Sequence, residues 1–147
     1  FMICGTSILI QRRAMEKYHT PGLWANTCCT HPFWDEPALH CAKRRIKDEL
    51  GIFDCRPIFQ DEIEYRADVD NGLTEHERVS VFSIHVETPP PMDLNPDEVM
   101  EVRWINYHAL KAEVQTDPDK FTPWLKIYLN EHSDRIFDTK LLKSETH

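Results

Sequence analysis

The run Asp35-Glu-Pro-Ala-Leu-His-Cys-Ala-Lys-Arg-Arg-Ile-Lys-Asp-Glu-Leu-Gly51 decides how this chain is read. Leu39, Ala42, Ile46 and Leu50 recur at three- and four-residue spacing, which predicts one apolar stripe of a helix. Asp35 can cap its start, and Gly51 can take the left-handed conformation that stops it. The other face carries Arg44, Arg45, Asp48 and Glu49, spaced for the i,i+4 pairs Arg44/Asp48 and Arg45/Glu49, and reads as a solvated, salt-bridged surface.

Outward from this helix the pattern changes to strands. Ser7-Ile-Leu-Ile-Gln-Arg12 is a short apolar strand, and a polar loop ending at Pro21-Gly22 leads to another that begins near Trp24. Downstream, Arg56 to Val69 alternates, Asp70-Asn71-Gly72 signals a turn, and Glu75 to Val86 completes a hairpin. After the Pro89-Pro90-Pro91 breaker a strand is expected over Glu98 to Asn106. Helices are expected over Tyr107 to Val114 and over Thr122 to Phe137, with Pro123 suited to an early helical position. Strand, strand, helix, strands, helices is the order of an α/β sandwich, not of a bundle or a barrel.

At 147 residues the chain fits one domain. A net charge of -8 argues against a general phosphate-backbone binder, so nucleic acid is not an expected partner. No apolar run approaches the roughly 20 residues of a membrane span, and the first residues lack the charged-then-apolar order of a signal peptide, so a soluble, cytoplasmic protein without a membrane partner is expected. Five cysteines, Cys4, Cys28, Cys29, Cys41 and Cys55, are an odd number without zinc-finger spacing and read as reduced thiols.

Two stretches carry chemistry. In Trp24-Ala-Asn-Thr-Cys-Cys-Thr-His-Pro32, Cys29 and His31 leave the same face of an extended strand, with Cys28 on the opposite face as core. In Glu75-His-Glu-Arg-Val-Ser-Val-Phe82, Glu75 and Glu77 share a face with Val79 and Val81. Two carboxylates on an apolar face need a cation or protons. Taken singly, a free cysteine is more often a packed, inert thiol, and Trp24, Trp34 and Trp104 read as packing.

Residues 30–52 can be laid against the Nudix box, Gly-x5-Glu-x7-Arg-Glu-U-x-Glu-Glu-x-Gly-U. Thr30 stands at the first glycine and Glu36 at the first glutamate, followed by Arg44-Arg-Ile-Lys-Asp-Glu-Leu-Gly-Ile52. Arg45 reverses the charge at a position where a hydrolase needs a metal-binding glutamate. This altered box, beside Asn26-Thr-Cys-Cys-Thr-His-Pro32, Glu75-x-Glu77 and Thr122-Pro-Trp-Leu-Lys126, resembles type I isopentenyl diphosphate isomerase. Gln11-Arg-Arg-Ala14, Pro21-Gly-Leu-Trp24, Tyr65-Arg-Ala67 and Asp97-Glu-Val-Met100 extend the resemblance over nearly the whole chain.

The resemblance implies a Nudix-like αβα sandwich with a mixed β-sheet. It implies a reaction that moves a double bond between isopentenyl and dimethylallyl diphosphate through a tertiary carbocation, so an isoprenoid diphosphate is the expected partner. By the same resemblance Cys29 and Glu77 are catalytic, Tyr65 assists proton transfer, and Trp124 faces the cation. His31, Glu75 and Glu77 would be ligands of a first divalent metal, Zn2+, Mn2+ or Mg2+. Glu49 would hold a Mg2+ ion bridging to the diphosphate, and Arg13, Lys17 and Arg45 would grip that group. Which of Cys29 and Glu77 is the forward acid stays open, because the reaction is reversible. The family usually supplies two further histidine ligands and a diphosphate lysine ahead of the first strand. Nothing before Ser7 offers them, so either a segment upstream supplies them, which Phe1 as first residue favours, or the metal site is incomplete. A hydrolase of nucleoside diphosphate derivatives and a non-catalytic binding domain are the alternatives. Arg45 weighs against the first, and a thiol opposed to a carboxylate against the second.

Overall fold

The computed structural model describes residues 1–69 and 72–144. Its hub is β2 (Ser7–Arg13), whose Ile8, Leu9 and Ile10 are fully buried. Side chains alternate across a strand, so consecutive apolar residues can only be buried if both faces are covered. β6 (Val99–Asn106) pairs antiparallel along one side of β2, from Ser7 opposite Asn106 to Arg13 opposite Val99. The other side is shared by β1 (Met2–Cys4) and the two-residue β3 (Trp24–Ala25). β1 runs parallel to the end of β5 (Thr74–Val86), which forms a long antiparallel hairpin with β4 (Ile58–Asp68). That single parallel step makes the six-stranded sheet mixed.

Each face of the sheet has its own core. Ile8 and Ile10 join Ile63, Tyr65, Val81 and Ile105 against α2 (Tyr107–Thr116), α3 (Pro123–Glu131), α4 (Ser133–Ile136) and α5 (Thr139–Leu142). Leu9 joins Met2, Ile84 and Val99 against Ile46 and Leu50 of α1 (Ala38–Leu50). The result is the expected α/β/α sandwich. All five cysteines are free, and among the described residues no helix is long and apolar enough to cross a membrane.

Several local expectations are corrected. Asp35 does not cap α1: it has φ +63°, the cap position is Pro37, and no side chain caps the helix. Glu36 instead turns back and accepts from the Phe33 amide at 3.0 Å. Leu39 keeps the angle of the apolar stripe but lies in the first turn, outside the packed cluster, and is 44% exposed. Gly51 ends the helix as expected, at φ +65° with its N–H on the Lys47 carbonyl. The expected helix from Thr122 to Phe137 breaks at His132 into α3 and α4. There the Ser133 hydroxyl donates to the Leu129 carbonyl at 2.6 Å and accepts from Tyr107, a side-chain bond that competes with the helical ladder.

The strand expected through Cys29 and His31 ends at Ala25. Its alternation survives in irregular backbone, for Cys28 packs against the α1-side core and Cys29 against the other. Trp24 and Trp104 pack as expected, but Trp34 does not: it sits in the loop before α1 and is 93% exposed. Asp70 and Asn71, the first two residues of the expected turn, lie outside the described residues.

Candidate active site

β5 turns its alternate residues Glu75, Glu77, Val79 and Val81 away from solvent, as the spacing predicts. Cross-strand register sets Ala67 opposite Glu75 and Tyr65 opposite Glu77. The Tyr65 hydroxyl donates to Glu75 Oε2 at 3.1 Å. His31 arrives from the irregular segment after β3, its Nε2 3.6 Å from Glu77 Oε1. One ligand atom from each of His31, Glu75 and Glu77 lies within 4.8 Å of the others. An imidazole nitrogen and two carboxylates at that spacing fit a divalent cation, because hard and borderline ions take such oxygen and nitrogen donors.

Beside this trio the Cys29 thiol is pushed up to about 12 by burial. Arg13 partly offsets that effect, and Glu75, Glu49 and Glu77 add to it. The sulfur therefore keeps its proton at neutral pH. Burial, then the neighbouring Cys29 and Glu75, also push the Tyr65 hydroxyl up. Tyr128, not expected from the sequence, meets Tyr65 edge to face at 5.6 Å between ring centroids. A signal existed: Tyr128 lies four residues after Trp124, on the same face of α3.

Trp124 is 2% exposed, positioned by Thr122, whose hydroxyl accepts from the Leu125 amide at the start of α3. The Arg13 guanidinium lies 5.3 Å from its ring centre. The ring is thus already placed to stabilise positive charge, as aromatic quadrupoles do.

The charged face of α1 is solvated at Asp48 but not at Glu49. Glu49 is 4% exposed, and three donors reach it: Gln11 Nε2 at 3.0 Å, Arg45 at 3.0 Å and the Cys28 thiol at 3.4 Å. Cys28 is therefore more than core. These donors use three of the roughly four acceptor sites of a carboxylate, so Glu49 keeps room for one further ligand. Glu49 stands apart from the His31 trio and belongs to a group with Arg45. Arg45 also lies 3.6 Å from Glu98, which takes Lys17 at 2.6 Å. Among the described residues, Arg13 Nε, Arg45 Nε and Trp124 Nε1 are buried without a hydrogen-bond partner. Gln11, Cys28 and Glu98 were not singled out by spacing. The one hint was Gln11, a polar residue directly after three apolar ones.

A cavity of about 170 Å³ opens between the segment after β3, α1 and β5. Cys28, Cys29, His31, Val79 and Val81 line it, whereas Glu77, Tyr65 and Trp124 do not form its wall.

Comparison with known proteins adds an independent line. The NUDIX domain family matches residues 1–125. An isopentenyl-diphosphate Delta-isomerase of Ruegeria pomeroyi is 59% identical over 98% of this chain and 80% of its own length. One from Dinoroseobacter shibae is 55% identical over 95% of this chain and 79% of its own. Among solved structures, DR0079 of Deinococcus radiodurans matches with TM-score 0.72 at 14% identity, covering 88% of this chain and 76% of that one. A MutT NUDIX hydrolase of Burkholderia pseudomallei matches with TM-score 0.67 at 22% identity, covering 89% and 92%. At those identities the structures speak to the fold.

Proposed function

Because the chain belongs to the NUDIX family, we propose that its half-buried Cys29 thiol and the Glu75 and Glu77 carboxylates carry the chemistry named in its sequence relatives, the isopentenyl-diphosphate Delta-isomerases. The enzyme interconverts isopentenyl and dimethylallyl diphosphate. One alkene carbon must gain a proton and another carbon must lose one, and the tertiary carbocation between them has no polar handle on its hydrocarbon part. The chain offers a residue for each need.

Cys29 rests as a thiol, not a thiolate, so it has a proton to exchange with an alkene carbon. Glu77 is the partner that takes or returns the second proton. Tyr65, bonded to Glu75 and backed by Tyr128, fixes the carboxylate side of the pair. Trp124 turns its ring to the cation, where a desolvated contact contributes about 2 kcal/mol. Arg13, Lys17 and Arg45 hold the diphosphate, and Arg13 links the two ends of the site through its contact with Trp124. A Nudix hydrolase needs a carboxylate where Arg45 stands, so the charge reversal favours isomerisation over hydrolysis.

His31, Glu75 and Glu77 would hold one divalent cation, and Glu49 would hold Mg2+ on the diphosphate. Bound there, such ions neutralise phosphate charge and fix the carboxylates. The five free thiols favour a reducing compartment, and the enzyme is assigned to the cytoplasm.

The observation that carries this reading is the convergence of His31, Glu75 and Glu77, one ligand atom of each within 4.8 Å of the others, beside the half-buried Cys29 thiol. Cys29→Ala and Glu77→Gln should each slow interconversion by the roughly 10²- to 10⁴-fold typical of losing a general acid or base. Near-normal turnover, or phosphate release from nucleoside diphosphates without deuterium entering the alkene in D₂O, would reject it.

A further inference from the structure

We propose that Glu98 is the positioning residue of the diphosphate grip, a single carboxylate oxygen that gathers Lys17 and Arg45 from two separate elements and holds them for the anion. The proposal rests on reading Arg13, Lys17 and Arg45 as that grip. Glu98 Oε2 lies 2.6 Å from Lys17 Nζ and 3.6 Å from Arg45. Lys17 belongs to the loop after β2 and Arg45 to α1, so one oxygen spans both.

The main chain of Glu98 is tied to the same parts. Its carbonyl accepts from the Ala14 amide at 3.1 Å, at the start of the loop that carries Lys17. Its N–H donates to the Asn95 carbonyl at 3.0 Å, and the Asn95 N–H donates in turn to the Glu49 carbonyl in the last turn of α1 at 2.9 Å. Side chain and backbone together set the spacing of loop and helix.

Three cations crowded at one place repel one another and need a counter-charge. Burial pushes the Glu98 carboxyl up, but Lys17, and then Arg45 and Arg13, outweigh it and hold the group low, so it is ionised in the resting enzyme. Glu98 does not have to leave when a diphosphate arrives. An ammonium has three N–H donors and Glu98 takes one. Arg13 Nε and Arg45 Nε are buried without a partner among the described residues. Two Lys17 donors therefore remain for phosphoryl oxygens while Glu98 keeps Lys17 and Arg45 aimed.

The test compares the whole enzyme with Glu98→Gln, which keeps shape and removes charge. Inorganic diphosphate is titrated by calorimetry, and KM and kcat for isopentenyl diphosphate are measured beside it. The dissociation constant and KM should both rise about tenfold, the scale of one charge-assisted hydrogen bond, with kcat within about threefold. Glu98→Asp, which restores the charge one methylene short, should recover part of the affinity. It also carries the test if the glutamine variant melts early. Diphosphate binding that is unchanged or tighter in Glu98→Gln, or a fall in kcat at constant KM, overturns the proposal. Wild-type diphosphate affinity in both Lys17→Met and Arg45→Met would overturn the grip itself, and the role of Glu98 with it.

Discussion

Single residues divide into those whose place follows from alternation and those whose place follows from contact. Cys29, His31, Glu75 and Glu77 were legible because a period of two carries side chains to one face, even where the strand through Cys29 gives way to irregular backbone. Gln11 and Glu98 were not, because nothing in their spacing says that a loop, a strand and a helix converge there; for Glu49 the pairing with Arg45 was legible and only its burial was not. Trp124 tests the separation of packing from chemistry. Truncation to alanine would cost about 3–5 kcal/mol at a fully buried position, so loss of activity there would be ambiguous. Trp124→Phe keeps a ring while weakening the quadrupole. It should lower kcat by up to about thirtyfold, from a contact worth about 2 kcal/mol, and leave KM nearly unchanged. Steady-state kinetics check this, and an unchanged kcat would remove Trp124 from the cation's surroundings.

At the scale of elements, α1 shows what periodicity sees and what it misses. The stripe through Ile46 and Leu50 and the stop at Gly51 were readable, since both depend on local geometry. The start was not, because the loop before α1 is held by Glu36, which takes Arg44 at 2.8 and 2.9 Å, His40 at 2.7 Å and the Phe33 amide at 3.0 Å. These partners, Arg44 above all, hold the Glu36 carboxyl well below its ordinary value of 4.5. A carboxyl lowered on folding adds stability that is fully present above its unfolded pKa and disappears as pH falls through the folded one. Thermal melts of wild type should therefore fall as pH drops below about 4.5, and Glu36→Gln should show a shallower acid limb. Parallel limbs would remove Glu36 as a contributor. At the other end, a side chain at Gly51 would place its Cβ 2.6 Å from the Asp93 carbonyl at φ +65°. Gly51→Ala should destabilise by at least about 1–2 kcal/mol, read as a lower urea midpoint at constant slope.

For the whole molecule, the site joins parts that the two cores do not hold together. The sheet and its helix layers are fixed by burial, but His31 lies in irregular chain and is tied to β5 through Glu77. A divalent cation on His31, Glu75 and Glu77 would stabilise the folded state by about 2.7 kcal/mol at a hundredfold excess over Kd, or about 5–10 °C in Tm for a chain of this size. Adding Mn2+ after chelation should raise Tm by that order, and His31→Ala should abolish the rise. A rise that survives in His31→Ala would put the ion elsewhere. Read along its length, the chain already dictates an α/β sandwich, the inward carboxylates of β5 and the thiol opposite them, because hydrophobic period and turn chemistry act over a few residues. Folding alone decides that Glu49 of α1 is buried, that Tyr128 backs Tyr65, and that Glu98 lies between Lys17 and Arg45. Those depend on long-range convergence, where electrostatics and packing between distant segments have no counterpart in local sequence.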